Sequence, residues 1–385
     1  MLQLPPLSLY IHIPWCVRKC PYCDFNSHAQ RDALPEDAYV ARLLDDLRSD
    51  AAWAQGRDIQ TIFFGGGTPS LFSAAAIARI LQGVAAIIPL AADCEITLEA
   101  NPGTFEQDKF SGFRQAGINR LSIGVQSFND QYLSTLGRIH SGGEAERAID
   151  IAKRAGFDNF NVDLMHGLPQ QNVDDALQDI ALAAALGAPH LSWYQLTIEK
   201  NTAFFSSPPR LPEEDTLCDI SEAGLALISA KGLTQYEVSA YAKPGHQSRH
   251  NINYWQFGDY IGIGAGAHGK LTLLKEQRVI RSQKTRTPEH YLSADALTRR
   301  KYTDIAAKDM VFEFMLNALR LRSGVATDVF ASRTGMTLSV LEPLWHDLRQ
   351  RGLMLDSDEI LATTDKGALF LNDVLEAFLD YAPRA

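Results

Sequence analysis

Six short β-rich runs alternate with longer amphipathic stretches through the first two hundred residues, and this alternation restricts the fold more than any other feature of the chain. The runs cover 7–13, 59–64, 94–99, 120–125, 159–165 and 190–196. Between the first two, Val40, Leu43, Leu44 and Leu47 recur at helical spacing, and Ala176, Leu177, Ile180 and Ala183 do so between the last two. Consecutive βα units imply a parallel sheet with right-handed crossovers. A complete βα barrel has eight strands. The pattern here degrades near 201–212, so the sequence predicts an α/β chain built on a partial (βα)6 TIM-type barrel, with a doubly wound sheet as the competing architecture.

Downstream, Ser206, Ser207, Pro208 and Pro209 mark a loop over 205–211, followed by a helix over 213–231 and strands returning around 235–240. From about residue 306 the texture changes. Short helices over 309–321, 327–334 and 338–351, a β-like pair around 352–363 and a final helix predict a small, mainly α-helical, winged-helix-like C-terminal domain. The expected division is a barrel over 1–240, a connecting segment over 241–304 and the C-terminal domain over 305–385.

Composition narrows the function classes. Hydrophobic residues at 46% and charged residues at 21% are those of a globular protein. A net charge of −10 disfavours a dedicated nucleic-acid binder. The C-terminal module, with 8 basic and 12 acidic side chains over 305–385, offers no basic DNA-binding face either. The most apolar stretch, 71–92, is interrupted by Arg79, Gln82 and Pro89, short of the roughly 20 apolar residues a membrane span needs. The N-terminus lacks the basic and apolar regions of a secretory signal, and a cytoplasmic location is expected.

Three of the five cysteines crowd into the loop after the first strand, as Cys16-Val17-Arg18-Lys19-Cys20-Pro21-Tyr22-Cys23. That is a poor disulfide framework and a good metal-ligand cluster. Three thiolates can hold three irons of a 4Fe-4S cluster and leave the fourth open to a substrate. A zinc site completed by His28 or His12 is the alternative. Cys94 and Cys218 read as small buried side chains. After the second strand comes Gly65-Gly66-Gly67-Thr68-Pro69, which suits close approach of a ligand to the main chain.

Taken together, CxxxCxxC after strand one and GGGTP after strand two resemble the radical S-adenosylmethionine (SAM) superfamily. Within it the chain is similar to the branch of oxygen-independent coproporphyrinogen III dehydrogenases and HemW-type proteins. The resemblance implies a 4Fe-4S cluster on Cys16, Cys20 and Cys23, with SAM chelating the unique iron and cleaved to a 5′-deoxyadenosyl radical. By the same resemblance Tyr10, Gly66, Gly67, Thr68, Glu99, Gln126, Arg138 and Asp163 contact SAM, the last three serving a second SAM in the dehydrogenases. Glu99, Gln126 and Asp163 each fall at the C-terminal end of a strand, the rim where βα barrels place their active sites.

Two features separate the branches. The dehydrogenases carry a further cysteine two positions after the third cluster ligand, where this chain has Phe25. They also carry an N-terminal extension before the first strand, which here begins at about Leu7. Both differences resemble the HemW-type heme chaperones, which bind heme and hand it to acceptor proteins. His250-Asn251-Ile252-Asn253-Tyr254-Trp255 is similar to their HNxxYW motif and makes His250 the candidate heme ligand. Tyr254 and Trp255 then pack on the macrocycle. The glycine-rich stretch Gly258, Gly262, Gly264, Gly266 and Gly269, with His268 inside it, is a second candidate lining of the pocket. Lys275, Arg278, Arg281, Lys284 and Arg286 form a basic cluster suited to tetrapyrrole carboxylates. The expected partners are heme or a related tetrapyrrole and an unidentified acceptor protein, with no nucleic acid and membrane contact only through a partner. The alternative activity is SAM-dependent oxidative decarboxylation of coproporphyrinogen III.

Overall fold

The computed structural model describes residues 1–30, 32–103, 107–295, 299–379 and 381. Six strands pair in parallel and in chain order: β1 (Leu7–Ile13), β2 (Ile59–Gly66), β3 (Leu90–Ala100), β4 (Arg120–Gln126), β5 (Phe160–His166) and β6 (His190–Gln195). Because no strand order reverses between β1 and β6, this is a singly wound, barrel-like sheet rather than a doubly wound one. The expected partial barrel is therefore the architecture observed.

Side-chain alternation explains its two surfaces. Leu7, Leu9, Ile11 and Ile13 of β1 share one fully buried core with Tyr39, Val40, Leu43 and Leu47 of α1 (Glu36–Asp50). The intervening positions turn inward and are polar. Ser8 of β1 bonds Thr61 of β2 at 2.8 Å, and Ser122 of β4 donates to Asp163 of β5 at 3.0 Å. Asn161 donates to Ser122 at 2.8 Å, and its carbonyl oxygen lies 2.6 Å from a ring nitrogen of His190 on β6.

Two antiparallel strands, β7 (Thr234–Glu237) and β8 (Ala240–Ala242), extend the sheet beyond β6. On the other side of β1 stand β9 (Asp259–Ile263), parallel to it, and then β10 (His268–Leu273), β11 (Arg278–Lys284) and β12 (Arg300–Asp304), each antiparallel to its neighbour. Strands β7 and β12 are the two edges of a twelve-stranded sheet, so the barrel stays open. Residues 241–304, expected as a connector, thus supply a third of the strands. Glycine hid them. A Cβ on Gly262 would sit 1.9 Å from the His268 carbonyl oxygen, so β9 and β10 approach too closely for any side chain there.

A second core holds the C-terminal region. Met310, Val311, Phe314 and Met315 of α2 (Ala307–Ala318) pack with Phe330, Trp345, Leu348 and Phe378, and also with Leu2, Tyr236, Phe257 and Val279 of the barrel part. The helix over Thr327–Thr334 is as expected, and Val325–Ala326 pairs with Ile360–Leu361. The helix expected over 338–351 divides into a 3-10 turn, Leu338–Leu341, and a helix, Leu344–Gln350, because Pro343 cannot continue a helical ladder. Among the described residues no helix is long and apolar enough to cross a membrane.

One buried ion cluster clamps the added strands to the barrel. Lys284 of β11, fully buried, donates to Asp46 and Asp50 of α1 at 2.5 Å each, and Arg300 of β12 also reaches Asp50. Truncating the cation leaves two desolvated carboxylates without it. Lys284→Ala is expected to cost about 3–5 kcal/mol, measured as a fall in the urea midpoint at unchanged slope.

Candidate functional site

The cysteine loop is held at both ends. Residues Trp15–Cys16 pair with His28–Ala29, and the Cys23 amide donates to the Cys20 carbonyl at 3.2 Å. Asn26 fastens the loop to the glycine-rich segment, its side-chain amide donating to the Ala265 carbonyl at 3.0 Å and the Arg286 carbonyl at 2.9 Å. A Cβ on Gly266 would fall 2.1 Å from that amide nitrogen, which accounts for glycine there.

Cys16, Cys20 and Cys23 open on a cavity of about 610 Å³ at the C-terminal mouth of the barrel. Gly66, Gly67, Thr68, Glu99, Gln126, Arg138 and Asp163 line the same cavity. Tyr10 does not. It faces an adjoining cavity of about 720 Å³, which shares Gly66, Glu99, Phe25 and Trp255 with the first.

The glycine loop has a reason the sequence did not show. A Cβ on Gly66 would meet the His12 ring at 2.5 Å, and one on Gly67 the Trp15 carbonyl oxygen at 2.5 Å. These glycines are demanded by β1 and the cysteine loop themselves. The loop is also tied across the mouth: the Gly66 amide donates to Glu99 at 3.1 Å, and Asn101 donates to the Thr68 hydroxyl at 2.9 Å. Arg138 donates to Asn101 at 2.7 Å and to the Gly124 carbonyl at 2.6 Å, and its other terminal nitrogen lies 3.7 Å from the Cys20 sulfur. Gln126 takes a left-handed backbone (φ 70°) at a bulge in β4, and its side-chain oxygen accepts from Tyr194 at 2.8 Å. Asp163 accepts from Asn161 at 2.7 Å and from Ser122. Asn101, Ser122, Asn161 and Tyr194 escaped the sequence reading. The signal of Ser122, Asn161 and Tyr194 was polarity within otherwise apolar strands, and that of Asn101 its place just past the end of β3.

Burial, and then the nearby Asp163, push Glu99 up to about 8, while its bond from Gly66 opposes the shift. Burial likewise raises Asp163. Two carboxyl groups held this way are ready to charge when a cation arrives between them. Burial raises the Cys16 and Cys23 thiols, and the neighbouring sulfurs add to the rise, so three thiolates in this loop call for a shared positive centre.

The basic cluster read from the sequence disperses. Lys284 is buried in its ion cluster and Arg278 pairs with Asp304 outside the cavity. Only Arg281 and Arg286 of that group line the larger cavity. His250 also departs from expectation. It is 1% exposed, at the start of α3 (Arg249–Trp255). One ring nitrogen lies 2.7 Å from the Thr61 hydroxyl and the other 2.9 Å from the Tyr254 hydroxyl. With both nitrogens engaged and the ring behind the cavity wall, His250 is a support for Tyr254 rather than a group open to a heme iron. Tyr254 and Trp255 do line the larger cavity.

The Radical SAM superfamily profile matches residues 10–183, and that of the HemN C-terminal domain matches residues 305–370. Heme chaperone HemW of Escherichia coli (strain K12) is 53% identical over 379 residues, 98% of this chain and 100% of that protein. The chain belongs to the HemW family of the radical SAM superfamily. The HemW protein of Haemophilus influenzae is 49% identical over 98% of this chain and 99% of that one. The solved structure of coproporphyrinogen III oxidase (HemN) from Escherichia coli superposes with a TM-score of 0.80 at 22% identity, over 98% of this chain and 91% of that one, a likeness of fold.

Membership of the superfamily implies a 4Fe-4S cluster and SAM, and the residues present fit them. Three free thiols face a cavity rimmed by two carboxyl groups with raised affinity for protons. The zinc alternative fits poorly. Both ring nitrogens of His12 are bonded, to Tyr10 at 3.0 Å and to the Asn26 carbonyl at 2.9 Å, and His28 faces a separate cavity.

Glu99 gives a test of this electrostatic arrangement. Unfolded, its carboxyl releases a proton near the ordinary 4.5; folded, near 8. Between those values the native state holds the extra proton, so this group's contribution to stability falls as pH rises from 4.5 to 8. In the absence of SAM, Glu99→Gln is expected to gain stability over the wild type progressively across that window, in urea titrations at pH 5, 6, 7 and 8. Parallel curves would contradict the assignment.

Proposed function

We propose that this chain is a radical SAM heme chaperone, which binds heme and passes it to acceptor proteins. The observation that carries the reading is identity of 53%, end to end, with a protein named heme chaperone HemW. The larger cavity is consistent with it. Tyr254, Trp255, Phe257 and Tyr260 supply an aromatic lining and Arg281 and Arg286 supply cations, as a flat macrocycle with two carboxylates requires. Its volume of about 720 Å³ lies within the roughly 300–1,000 Å³ of small-molecule sites.

In this proposal Cys16, Cys20 and Cys23 hold the 4Fe-4S cluster, which when bound supplies an open iron and an electron to SAM. Gly66, Gly67 and Thr68 receive the methionyl end of SAM. Glu99 holds its ammonium group as a carboxylate, giving up a proton as the cation enters. Gln126, Arg138 and Asp163 orient the rest from the strand ends, each fixed by the hydrogen bonds described above, and Tyr10 supports the glycine loop from β1. The acceptor reads the chain in the cytoplasm, and any approach to a membrane is made through that acceptor.

Phe25 separates this reading from coproporphyrinogen oxidation. It stands 61% exposed on both cavities, where a dehydrogenase is expected to carry a reactive thiol. Anaerobic titration of the cluster-reconstituted protein with hemin is expected to saturate at one heme per chain with a Soret shift. Coproporphyrinogen, SAM and a reductant are expected to yield no carbon dioxide. Absence of stoichiometric hemin uptake would sink the proposal.

A further inference from the structure

Because the His250 ring is enclosed and both its nitrogens are bonded, a heme iron in the larger cavity would take its ligand from another group. Ten histidines occur in the chain, and two of them, His12 and His268, line this cavity. His12 has both ring nitrogens bonded, to Tyr10 and to the Asn26 carbonyl. The His268 ring is different. It is exposed, it faces the cavity, and among the described residues no side-chain hydrogen bond engages it.

The strands explain why it points there. His268 begins β10 and lies opposite Gln283 of β11, while Lys270, two residues on, lies between Tyr260 of β9 and Arg281 of β11. Two-residue alternation puts all five side chains on one face, and all five line the cavity. The face opposite carries Leu271 and Ile280, buried in the main core. The imidazole is therefore presented on a sheet face that also carries Tyr260, against whose ring Tyr254 packs at 4.4 Å, and all three line the cavity.

The other groups that could ligate iron from this cavity are poorer. Burial holds the hydroxyls of Tyr10, Tyr254 and Tyr260 protonated, above the ordinary tyrosine value. Lys270 is buried against Asp259 at 3.2 Å. Burial, followed by the charges of Arg281 and Arg286, lowers His268, which leaves its ring neutral near pH 7 with a free lone pair.

Resting on the heme-chaperone reading, we propose that His268 is the axial ligand of the heme iron in this cavity. His250 acts behind the wall as a positioning residue for Tyr254, through its bonds to Thr61 and Tyr254. The exposed Arg286, beside the cavity, is placed to meet a propionate.

The test is a hemin titration of full-length, cluster-reconstituted protein, read by electron paramagnetic resonance and magnetic circular dichroism of the ferric heme as well as by affinity. His268→Ala is expected to lose the nitrogen-ligated signature and to bind about ten-fold or more weakly, with added imidazole restoring the signature. His268→Cys is expected to change the spectrum to a thiolate-ligated type, which decides the question even if the alanine variant folds badly. His250→Ala is expected to keep the nitrogen-ligated spectrum. Wild-type protein that takes up no hemin overturns the chaperone reading itself. Wild-type uptake with wild-type spectra for both His268 variants, or loss of the signature in His250→Ala alone, overturns the ligand assignment and leaves the chaperone reading standing.

Discussion

The constraint on which this structure depends is the polar lining of an open barrel. Six parallel strands carry apolar side chains outward to their helices and polar ones inward, where water is scarce and each polar group needs a protein partner. Ser8, Thr61, Ser122, Asn161, Asp163 and His190 answer that need by bonding across strands, so the interior is a connected lattice rather than a greasy plug. Where the lattice reaches the C-terminal mouth it leaves groups that prefer protons or cations, Glu99 and Asp163, next to a loop of thiols. Structural necessity and chemical capacity thus come from the same inward positions.

The two cavities are one consequence. They adjoin along Gly66, Glu99, Phe25 and Trp255, so whatever sits in one presses on walls of the other. Trp255 is further covered by Arg320, whose guanidinium lies 4.3 Å from its ring and 3.2 Å from Glu237. A residue that follows α2 in the C-terminal region therefore takes part in shaping the barrel mouth. Cation–π contact of this kind is worth about 0.5–2 kcal/mol, enough to bias a rotamer but not to lock it.

Legibility in the sequence followed periodicity. Strands β1 to β6 stood out because each buries apolar residues against a helix of matching pattern, and Glu99, Gln126 and Asp163 stood out as polar residues at their ends. Strands β9 and β10 did not, because the glycines that let them approach erase the alternation that marks a strand. The cysteine and glycine loops were legible as chemistry but not as packing: that His12 and Trp15 exclude side chains at Gly66 and Gly67 is a long-range fact. His250 shows the same limit. Its motif was plain, yet which way the ring turns depends on Thr61, 189 residues earlier.

Asn26 carries a consequence for biosynthesis. Its amide is spent on carbonyls 239 and 260 residues downstream. As the chain leaves the ribosome, the sulfur-bearing turn is among the first segments to emerge, but its last anchors are translated only after β9 and β11 have been made. The cysteine turn therefore gains its complete seat only once residues 265 and 286 have been translated and folded back onto it.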